Sequence, residues 1–461
     1  MGRALESTVG AVEAVVPELC GRFGVPGMAV ALVERDDVAV AGFGTTNVEH
    51  PLPVDGRTLF QIGSVTKTLQ ATMTMQDVAA GRLDLDEPVR AHLPELALVD
   101  EDTAAAITVR HLLTHRGGFL GDELLLYGAH LPGGRRLADG VAALRHARQV
   151  FPLDTVTSYT NAAFTVLGWL SCRLSGEDDW ARLLRERVLG PVGMSHTFMR
   201  ADEVVTHRVA AGHRSGRVLR EGGWQPGWEL VEWDGPVGGA ISCAEDLARW
   251  ITAQLRSGRG EGGSVLNEDS LRAMHTPSVP FGGMADAVGL TWWLRDVEGT
   301  TVVCHGGQTP GYETDFGVVP ERGVGWAVLT NGAAGGSALY RALRPVILRE
   351  LAGVDEAPPR PDPNLGATDL VGEYDLPFSD VTVTAGSESG TLLLTSSAKV
   401  HVRPAWSPPQ APPMTAALYL PDRAVVVEPP LMAGQEIDFG RGPDGSVAWL
   451  RSGGRAGPRL R

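Results

Sequence analysis

The spacing of apolar side chains changes along the chain, and these changes predict which segments are helices and which are strands. Residues 4–22 repeat apolar positions at helical spacing, which predicts an amphipathic helix. Residues 27–44 alternate apolar and polar positions on both sides of Asp36 and Asp37, which predicts a β-hairpin. The chain therefore opens with one helix and one pair of antiparallel strands.

Helical spacing dominates the region that follows the hairpin. Ser242 and Glu245 stand three positions apart before an apolar run, which predicts a capping box at the start of a helix. Residues 120–235 otherwise mix helical and loop-like sequence. Four further helices are predicted in this region, over 64–81, 107–118, 161–175 and 178–189.

From residue 288 onward the apolar positions recur with a period of two. Strands are predicted at four successive segments, GLTWWLRDV, TTVVCHGG, YETDFGVVP and VGWAVLTN, and a closing helix is predicted over 337–352. A hairpin at the beginning and strands plus a helix at the end favour one antiparallel sheet flanked by helices, with a helical region inserted. The predicted fold class of this part is α/β in the α+β sense.

The last hundred or so residues form a separate region. Residues 353–366 carry four prolines and predict a linker. Residues 367–461 contain seven short alternating segments, which predict a small β-barrel. We therefore expect a main domain over 1–352, the linker over 353–366 and a β domain over 367–461.

Composition and charge limit the classes of partner. The 461 residues carry a net charge of −15, which argues against nucleic acid or an anionic membrane as a partner. No apolar run is long enough to span a bilayer. The first residues lack the basic start and uninterrupted apolar segment of a secretion signal, so a cytoplasmic protein is expected.

The sequence offers little support for a metal or cofactor. The four cysteines are scattered and predict free thiols rather than a disulfide framework or a metal site. His111 and His115 have the spacing of helical metal ligands but lack an acidic third ligand. Cys304 and His305 are neighbours in a predicted strand, where their side chains point to opposite faces. We therefore expect neither a metal nor a cofactor.

Ser64 and Lys67 are the leading candidates for chemistry. Their spacing places both side chains on one face of a first helical turn. Of the 40 basic residues only Lys67 and Lys399 are lysines, and arginine cannot serve as a base. A desolvated, uncharged lysine can take the proton of a serine and make it a nucleophile. The alternative is a helix-capping serine beside a solvated lysine.

Two more motifs accompany this pair. Tyr159 and Asn161 form Y-x-N at a predicted helix start, and His305 begins the sequence H-G-G-Q at the end of a predicted strand. Glycines at Gly306 and Gly307 would let the backbone approach a ligand closely. Taken singly, Tyr159 and His305 are also compatible with purely structural roles in the core.

In this order the three motifs resemble those of the penicillin-recognising serine enzymes: class C β-lactamases, D-Ala-D-Ala peptidases, and their esterase and D-aminopeptidase relatives. The resemblance extends to ITVRHLLTHRGG, GGAISCAEDLARW and HGGQTPGY, so it spans most of residues 5–350. It implies a β-lactamase/transpeptidase-like fold. The β domain resembles the lipocalin-like domain that is fused to some members.

The resemblance also implies a role for each motif residue. Ser64 resembles the nucleophile that forms an acyl-enzyme, Lys67 its base, and Tyr159 the phenol that relays protons. Asn161 would hydrogen-bond Lys67 and the substrate amide. The oxyanion would lie between the backbone N–H groups of Ser64 and Gln308.

The third motif departs from that of the peptidases and β-lactamases. His305 and Gly306 stand where those enzymes have a lysine and a hydroxyl residue that bind the substrate carboxylate. Without that permanent charge, penicillins and peptides ending in carboxylate should bind weakly. This difference favours esters, thioesters or amides as substrates.

The chain is most similar to the penicillin-binding-protein-type thioesterases of the family. Those enzymes take a nonribosomal peptide with a D-residue at the acylated end from a carrier-protein thioester, then release it by head-to-tail macrocyclisation. One alternative is a cytoplasmic serine hydrolase, namely an esterase, a D-aminopeptidase, a D-Ala-D-Ala carboxypeptidase-like enzyme or a weak β-lactamase. Another is a non-catalytic peptide-binding member. A peptide partner is expected in each case.

Two peripheral segments bear on this choice. The loop that carries Trp224, Trp228 and Trp233 is predicted to wall a substrate cleft or to pack as an apolar lid. Together with the β domain it would keep water from an acyl-serine and favour attack by the peptide's own amine. The arginines near the end of the chain are predicted to be a solvated tail, and the alternative is contact with the phosphate or acidic face of a carrier protein; they are Arg451, Arg455, Arg459 and Arg461.

Overall fold

The computed structural model describes residues 2–122, 136–219, 234–399 and 411–460. Within these ranges the chain is organised around two eight-stranded antiparallel sheets, one open and one nearly closed. The strands of the first part are β1 (Gly27–Glu34), β2 (Asp37–Gly44), β3 (Phe60–Gln61), β4 (His213–Arg214), β5 (Arg217–Val218), β6 (Ile241–Ser242), β7 (Arg259–Gly260), β8 (Gly263–Ser264), β9 (Val279–Pro280), β10 (Ala287–Val288), β11 (Trp293–Val297), β12 (Thr300–Thr309), β13 (Tyr312–Val319) and β14 (Val324–Thr330).

The open sheet has the order β2-β1-β14-β13-β12-β11-β10-β9, with every neighbouring pair antiparallel. The short strands β3 and β6, β4 and β5, and β7 and β8 form three separate pairs in the helical region. The helices of the described chain are α1 (Arg3–Phe23), α2 (Thr66–Ala79), α3 (Glu101–Ala106), α4 (Val109–Leu113), α5 (Leu137–Ala143), α6 (Ala162–Ser175), α7 (Trp180–Leu184), α8 (Gly190–Val192), α9 (Gly235–Gly238), α10 (Ala244–Leu255), α11 (Glu268–Met274) and α12 (Gly335–Ile347).

Helices cover both faces of the open sheet. Strands β13 and β14 are buried along their whole length because apolar layers lie on either side of them. Alternate residues of β1 divide between two cores, one shared with α1 and α12 and the other with α2, α6 and α10. The three-layer arrangement confirms the predicted antiparallel sheet flanked by helices with a helical insert.

Most of the predicted elements are present, and one predicted cap is wrong. The first helix, the hairpin and the four late strands occupy the predicted segments. Ser242 does not cap the following helix. It lies in β6, its hydroxyl is 2.8 Å from that of Thr197, and Cys243 precedes the helix without a side-chain cap. Ser242 is part of a strand because β6 pairs with β3.

The second sheet runs in sequence order and nearly closes into a barrel. The end of the chain approaches the first strand of this sheet. Leu460 N donates to Glu373 O at 2.7 Å, and Arg459 forms an isolated antiparallel β-bridge with Tyr374. Its own apolar side chains fill the interior. The strands are β15 (Gly372–Asp375), β16 (Ser379–Ala385), β17 (Thr391–Ala398), β18 (Met414–Leu420), β19 (Arg423–Glu428), β20 (Glu436–Arg441), β21 (Val447–Ser452) and β22 (Arg455–Pro458).

The prediction of a solvated arginine tail is wrong for the described residues, and Arg461 lies outside them. Strand β22 forms part of the barrel. It pairs with β21, and Arg451 on β21 keeps only 4% of its surface exposed. Arg451 pairs with Asp438 and donates to Thr157 O at 2.7 Å, so the barrel is fastened to the helical region. The tryptophan-bearing loop that was predicted to wall a cleft lies outside the described residues. Among the helices that the structure describes, none has the length and apolar character needed to cross a membrane.

Candidate active site

Helix α2 carries its polar side chains through the interior of the protein. Threonine hydroxyls donate hydrogen bonds to backbone carbonyls of the preceding turn. Thr72 Oγ1 donates to Thr68 O at 2.9 Å, and Thr68 Oγ1 donates to Val65 O at 2.7 Å. The indole of Trp250 donates to Thr68 Oγ1 at 3.1 Å. A threonine-rich helix can therefore be buried almost all round, and Lys67, on its first turn, is buried with it.

Three side chains meet at Ser64 Oγ. Lys67 Nζ lies 3.0 Å from it, and the Tyr159 hydroxyl donates to it at 2.8 Å. Lys67 Nζ also donates to Val237 O, the carbonyl of α9, at 2.7 Å. Ser64 itself lies in the single 3₁₀ turn that precedes α2, so the predicted spacing does bring its side chain against that of Lys67.

Burial controls the charge of Lys67. None of its surface is exposed, and this loss of solvation holds the pKa of its ammonium well below the ordinary value. Asp122 and Asp234 act in the opposite direction and Arg455 in the same direction. Burial also raises the pKa of Asp234 to about 7. An amine with a lowered pKa keeps the lone pair that a base needs.

Tyr159 is held as a neutral phenol. Burial raises the pKa of Tyr159 above its ordinary value, although the hydrogen bond to Ser64 opposes the change. Its ring centroid lies 5.0 Å from Lys67 Nζ and 4.6 Å from the ring of His115. Of the two groups that contact Ser64 Oγ, Lys67 is therefore the one placed to accept a proton, and Tyr159 the one placed to donate.

Backbone groups of the open sheet lie directly against the serine. Gly63 has a φ of 50°, and a Cβ there would lie 2.6 Å from Gln308 N. A Cβ on Gly307 would lie 1.9 Å from Ile62 O. Only glycines allow β12 to pass so close to the turn that carries Ser64. The amides of Ser64 and Gln308 thus lie on two adjoining backbone segments.

His305 is a buried, neutral imidazole beside this group. Its ring stacks on Trp293 with centroids 4.3 Å apart and lies 6.4 Å from the Tyr159 ring. Burial, followed by the charge of Lys67, lowers the pKa of His305 to about 3. Nδ1 lies 2.7 Å from Gly306 O, so this nitrogen carries the proton and Nε2 the lone pair.

Asn161 does not make the predicted bond to Lys67. The Lys67 amine bonds to Val237 O instead, and Asn161 Oδ1 is buried without a partner in the described part of the chain. The backbone N–H of Asn161 donates to Asp122 Oδ1 at 2.6 Å. Asp122 was not singled out from sequence because nothing local distinguishes it.

The two histidines that were considered as metal ligands are separated by the structure. His111 Nδ1 accepts from Thr108 N at 3.1 Å at the start of α4. His115 has a φ of 57°, lies beyond the end of α4 and packs against Tyr159. In the described ranges no cluster of three histidine, cysteine or acidic side chains is suited to a metal ion.

Sequence reasoning also missed two residues beside Tyr159. Trp293 packs edge-on against its ring at 6.2 Å, and the guanidinium of Arg455 lies 4.9 Å from its centroid. Trp293 lies within the predicted strand GLTWWLRDV, but nothing in that segment assigns its side chain to the site. Arg455 belongs to the barrel and carries no local signal.

Comparisons with known proteins match most of the chain. The family profile described as Beta-lactamase matches residues 12–347. Penicillin-binding protein 4 of Amycolatopsis lactamdurans is 32% identical over 361 residues, which cover 76% of this chain and 93% of that protein. The Unguisins hydrolase ungD' of Aspergillus campestris is 28% identical over 338 residues, which cover 68% of this chain and 60% of that protein.

The structural similarity extends over both sheets. The crystal structure of SurE with D-Leu has a TM-score of 0.71 and 26% identity, and the match covers 99% of this chain and 100% of that one. The octameric penicillin-binding protein homologue from Pyrococcus abyssi has a TM-score of 0.64 at 21% identity, with 98% of each chain covered, and shows the fold alone.

Proposed function

The chain belongs to the beta-lactamase family, and from this premise we propose that it is a serine acyl-transfer enzyme for peptides, with Ser64 as its nucleophile. Its substrate is a peptide thioester, ester or amide with a D-residue at the acylated end. Release occurs by attack of the peptide's own amine, which gives a macrocycle. The observation that carries the proposal is the direct contact of Ser64 Oγ with both Lys67 Nζ and the Tyr159 hydroxyl.

The first half-reaction follows from the charges of these three groups. Ser64 Oγ attacks the carbonyl carbon and its proton passes to the neutral Nζ of Lys67. The carbonyl π bond opens and places a negative charge on oxygen. When the tetrahedral intermediate collapses, the bond to the leaving thiol, alcohol or amine breaks and the leaving group receives a proton through Tyr159. The acyl chain then remains as an ester on Ser64.

The amides of Ser64 and Gln308 are proposed to bind the oxyanion. Both lie where β12 passes the serine turn, and N–H groups held in a strand and a helical turn cannot reorient as water does. Preorganised donors of this kind are worth about 3 kcal/mol each in related acyl-transfer sites. Gly307 serves this arrangement, because a side chain there would collide with Ile62 O.

The neutral state of His305 bears on the substrate class. A buried imidazole whose pKa is lowered to about 3 supplies no positive charge for a carboxylate. It can still accept one hydrogen bond at Nε2, which has no partner in the described part of the chain. A substrate with an amide N–H in this position fits better than one with a free carboxylate, which supports esters, thioesters and amides over penicillins.

A D-residue at the acylated end is supported by two comparisons. SurE was crystallised with D-Leu, and the D-aminopeptidase of Gluconobacter oxydans is 29% identical over 316 residues. The SurE match is the one of these two that includes the barrel, because it covers 99% of this chain. The presentation of the substrate as a carrier-protein thioester is part of the proposal.

The second half-reaction decides between cyclisation and hydrolysis. The acyl-serine is attacked either by water or by the peptide's own amine, and in both cases the attacking group loses a proton while Ser64 regains one. An amine folded next to the carbonyl can reach an effective molarity above roughly 10⁵ M. Cyclisation is favoured where the site excludes water. The barrel hairpin contacts Tyr159 through Gly454 O.

The test uses a synthetic linear peptide thioester with a D-residue at its activated end. We expect a ring product by mass spectrometry, no product from Ser64→Ala, and little from the matched peptide with an L-residue at that end. Linear acid as the sole product would replace cyclisation by hydrolysis, the alternative that the names of the Unguisins hydrolase and the D-aminopeptidase favour.

A second measurement separates an enzyme from a peptide-binding family member. A fluorophosphonate adds to an activated serine whatever the natural substrate is. We expect stoichiometric labelling by intact mass, absent in Ser64→Ala. An unlabelled native protein that still binds the peptide would overturn the proposed activity.

A further inference from the structure

The turn between β21 and β22 enters the site from the barrel. Gly454 O accepts the backbone N–H of Tyr159 at 2.8 Å, and Ala456 N donates to Ser158 Oγ at 3.0 Å. One main-chain hydrogen bond and one bond from a backbone N–H to a serine hydroxyl therefore hold the segment that carries the phenol. The barrel contacts the reacting groups through this hairpin, although its own interior is filled.

Arg455 extends from this hairpin to a buried carboxylate. Its Nη2 and Nε lie 2.8 and 3.2 Å from Asp122 Oδ2. The guanidinium also lies 4.9 Å from the centroid of the Tyr159 ring and 5.2 Å from that of Phe378. Only 4% of the Asp122 side chain is exposed, against 21% for Arg455. The pair joins two parts of the chain that are far apart in sequence.

Asp122 uses its second oxygen to hold the start of α6. Asp122 Oδ1 accepts from Asn161 N at 2.6 Å, from Ala162 N at 3.2 Å and from Thr160 Oγ1 at 2.9 Å. A carboxylate is stable at a helix N-terminus because the backbone N–H groups there are otherwise unsatisfied. Through these bonds one carboxylate fixes the segment that directly follows Tyr159.

We propose that Arg455 is a positioning residue for acylation: paired with Asp122, it holds the Tyr159 phenol on Ser64 and balances the negative charge that faces Lys67. The inference rests on the proposed function, because it assigns Lys67 the part of base. Arg455 acts through Asp122 and Tyr159 and makes no contact with the reacting serine.

The charges around Lys67 determine the direction in which its pKa should move when Arg455 is removed. Asp122 raises the pKa of Lys67 and Arg455 lowers it, so the two charges of the pair act on the amine in opposite directions. Without Arg455 the carboxylate of Asp122 acts alone and favours the ammonium, which cannot accept a proton. The groups that face Lys67 are Asp122, Arg455 and Asp234, whose charges act on it directly, together with the neutral rings of Tyr159, His115 and His305.

The test measures fluorophosphonate labelling rates against pH. If labelling requires neutral Lys67, the labelling rate falls as the pH is lowered through the pKa of the amine. The pH at which this fall occurs therefore reports that pKa. In Arg455→Gln we expect the fall to move to higher pH by about one unit, because a neighbouring charge typically moves a pKa by one to three units. In Asp122→Asn we expect the opposite move, because Arg455 then acts alone.

Two further proteins complete the experiment. Arg455→Lys keeps the positive charge, so its fall should stay near the native pH even if the rate itself is lower. Arg441→Gln removes a barrel guanidinium that pairs with Asp422 and Asp369 instead, and it should leave both the rate and its pH dependence unchanged. Shifts of opposite sign cannot come from simple loosening of the fold, which would lower the rate at every pH.

The outcomes separate this inference from the proposed function. If Arg455→Gln labels fully and its labelling rate falls at the native pH, the inference is overturned and Ser64 remains the proposed nucleophile. Failure of the native protein to label overturns the proposed function first. If Arg455→Gln does not fold, Asp122→Asn decides the matter: a fall at lower pH supports the inference, and a native pH dependence overturns it.

Discussion

The two eight-stranded sheets contribute to the Ser64 site in different ways. The open sheet contributes backbone, because Gly307 and Gln308 of β12 pass directly against the serine turn. The barrel contributes one hairpin, which binds Tyr159 through Gly454 O. The first contact places hydrogen-bond donors where charge develops, and the second supports a side chain that touches the nucleophile. We therefore expect damage to the open-sheet contact to cost more than damage to the barrel contact.

The largest effect is expected at Lys67, whose amine lies 3.0 Å from Ser64 Oγ. Lys67→Arg keeps a positive charge but removes the amine that is assigned as the proton acceptor of Ser64. Loss of a general base typically costs about 10²–10⁴-fold, and arginine also overfills a fully buried space, so acylation should fall at least 10³-fold. Labelling rates measure this. Lys399→Arg, the same change at the other lysine, serves as control and should behave as native.

The open-sheet contact is broken by one methyl group. In Gly307→Ala the new Cβ would lie 1.9 Å from Ile62 O, so β12 must move away from Ser64. Loss of an oxyanion donor lowers turnover by about 10²–10³-fold, which we expect in the acylation rate. Gly306→Ala is the matched control, because its Cβ would find Trp293 at 3.4 Å, an ordinary contact. Equal rates in the two variants would contradict the assignment.

The barrel contact can be broken in the same manner. In Gly454→Val the new Cβ would lie 3.1 Å from Met284 Sδ and 3.3 Å from Tyr159 Cβ, so the hairpin must withdraw from the phenol. We expect acylation to fall about tenfold, since displacement of a supporting group costs less than loss of a donor. Gly453→Val shares the positive φ but meets nothing within 4 Å. Labelling kinetics and melting temperatures of both variants separate displacement from backbone strain.

The smallest effect is expected at the side chain of Gln308. Its Nε2 donates to Glu313 Oε1 at 2.7 Å, so the side chain is engaged with the sheet, and the backbone N–H is the group assigned to the oxyanion. Gln308→Ala should therefore change acylation by less than about twofold, as exposed side chains usually do. A fall comparable to that of Gly307→Ala would assign the donor role to the side chain.

The open sheet could be predicted from sequence because its signals are local. Alternating segments gave β1, β2 and β11–β14, and helical spacing gave α1, α2 and α6. The contact of Ser64 with Lys67 followed from a spacing of three residues. The error at Ser242 has the opposite origin, because pairing of β6 with the distant β3 outweighed a local capping pattern.

The barrel contact could not be predicted, because its parts are distant in sequence. The segment around Arg455 is rich in glycine and arginine and shows no alternation, yet it forms β22 by pairing with β21. Asp122 and Arg455 meet across most of the chain, and neither carries a motif. Asn161 was assigned to Lys67 by resemblance, and the carbonyl of Val237 took that place in the structure.

The position of Arg455 also has a consequence for synthesis on the ribosome. Helix α2 and the serine turn are translated early, whereas the guanidinium that pairs with Asp122 emerges only after nearly all of the barrel has been made. A nascent chain can thus display its nucleophile long before Tyr159 has its support. Proteolytic removal of the late strands would leave an intact serine and lysine with a poorly held phenol.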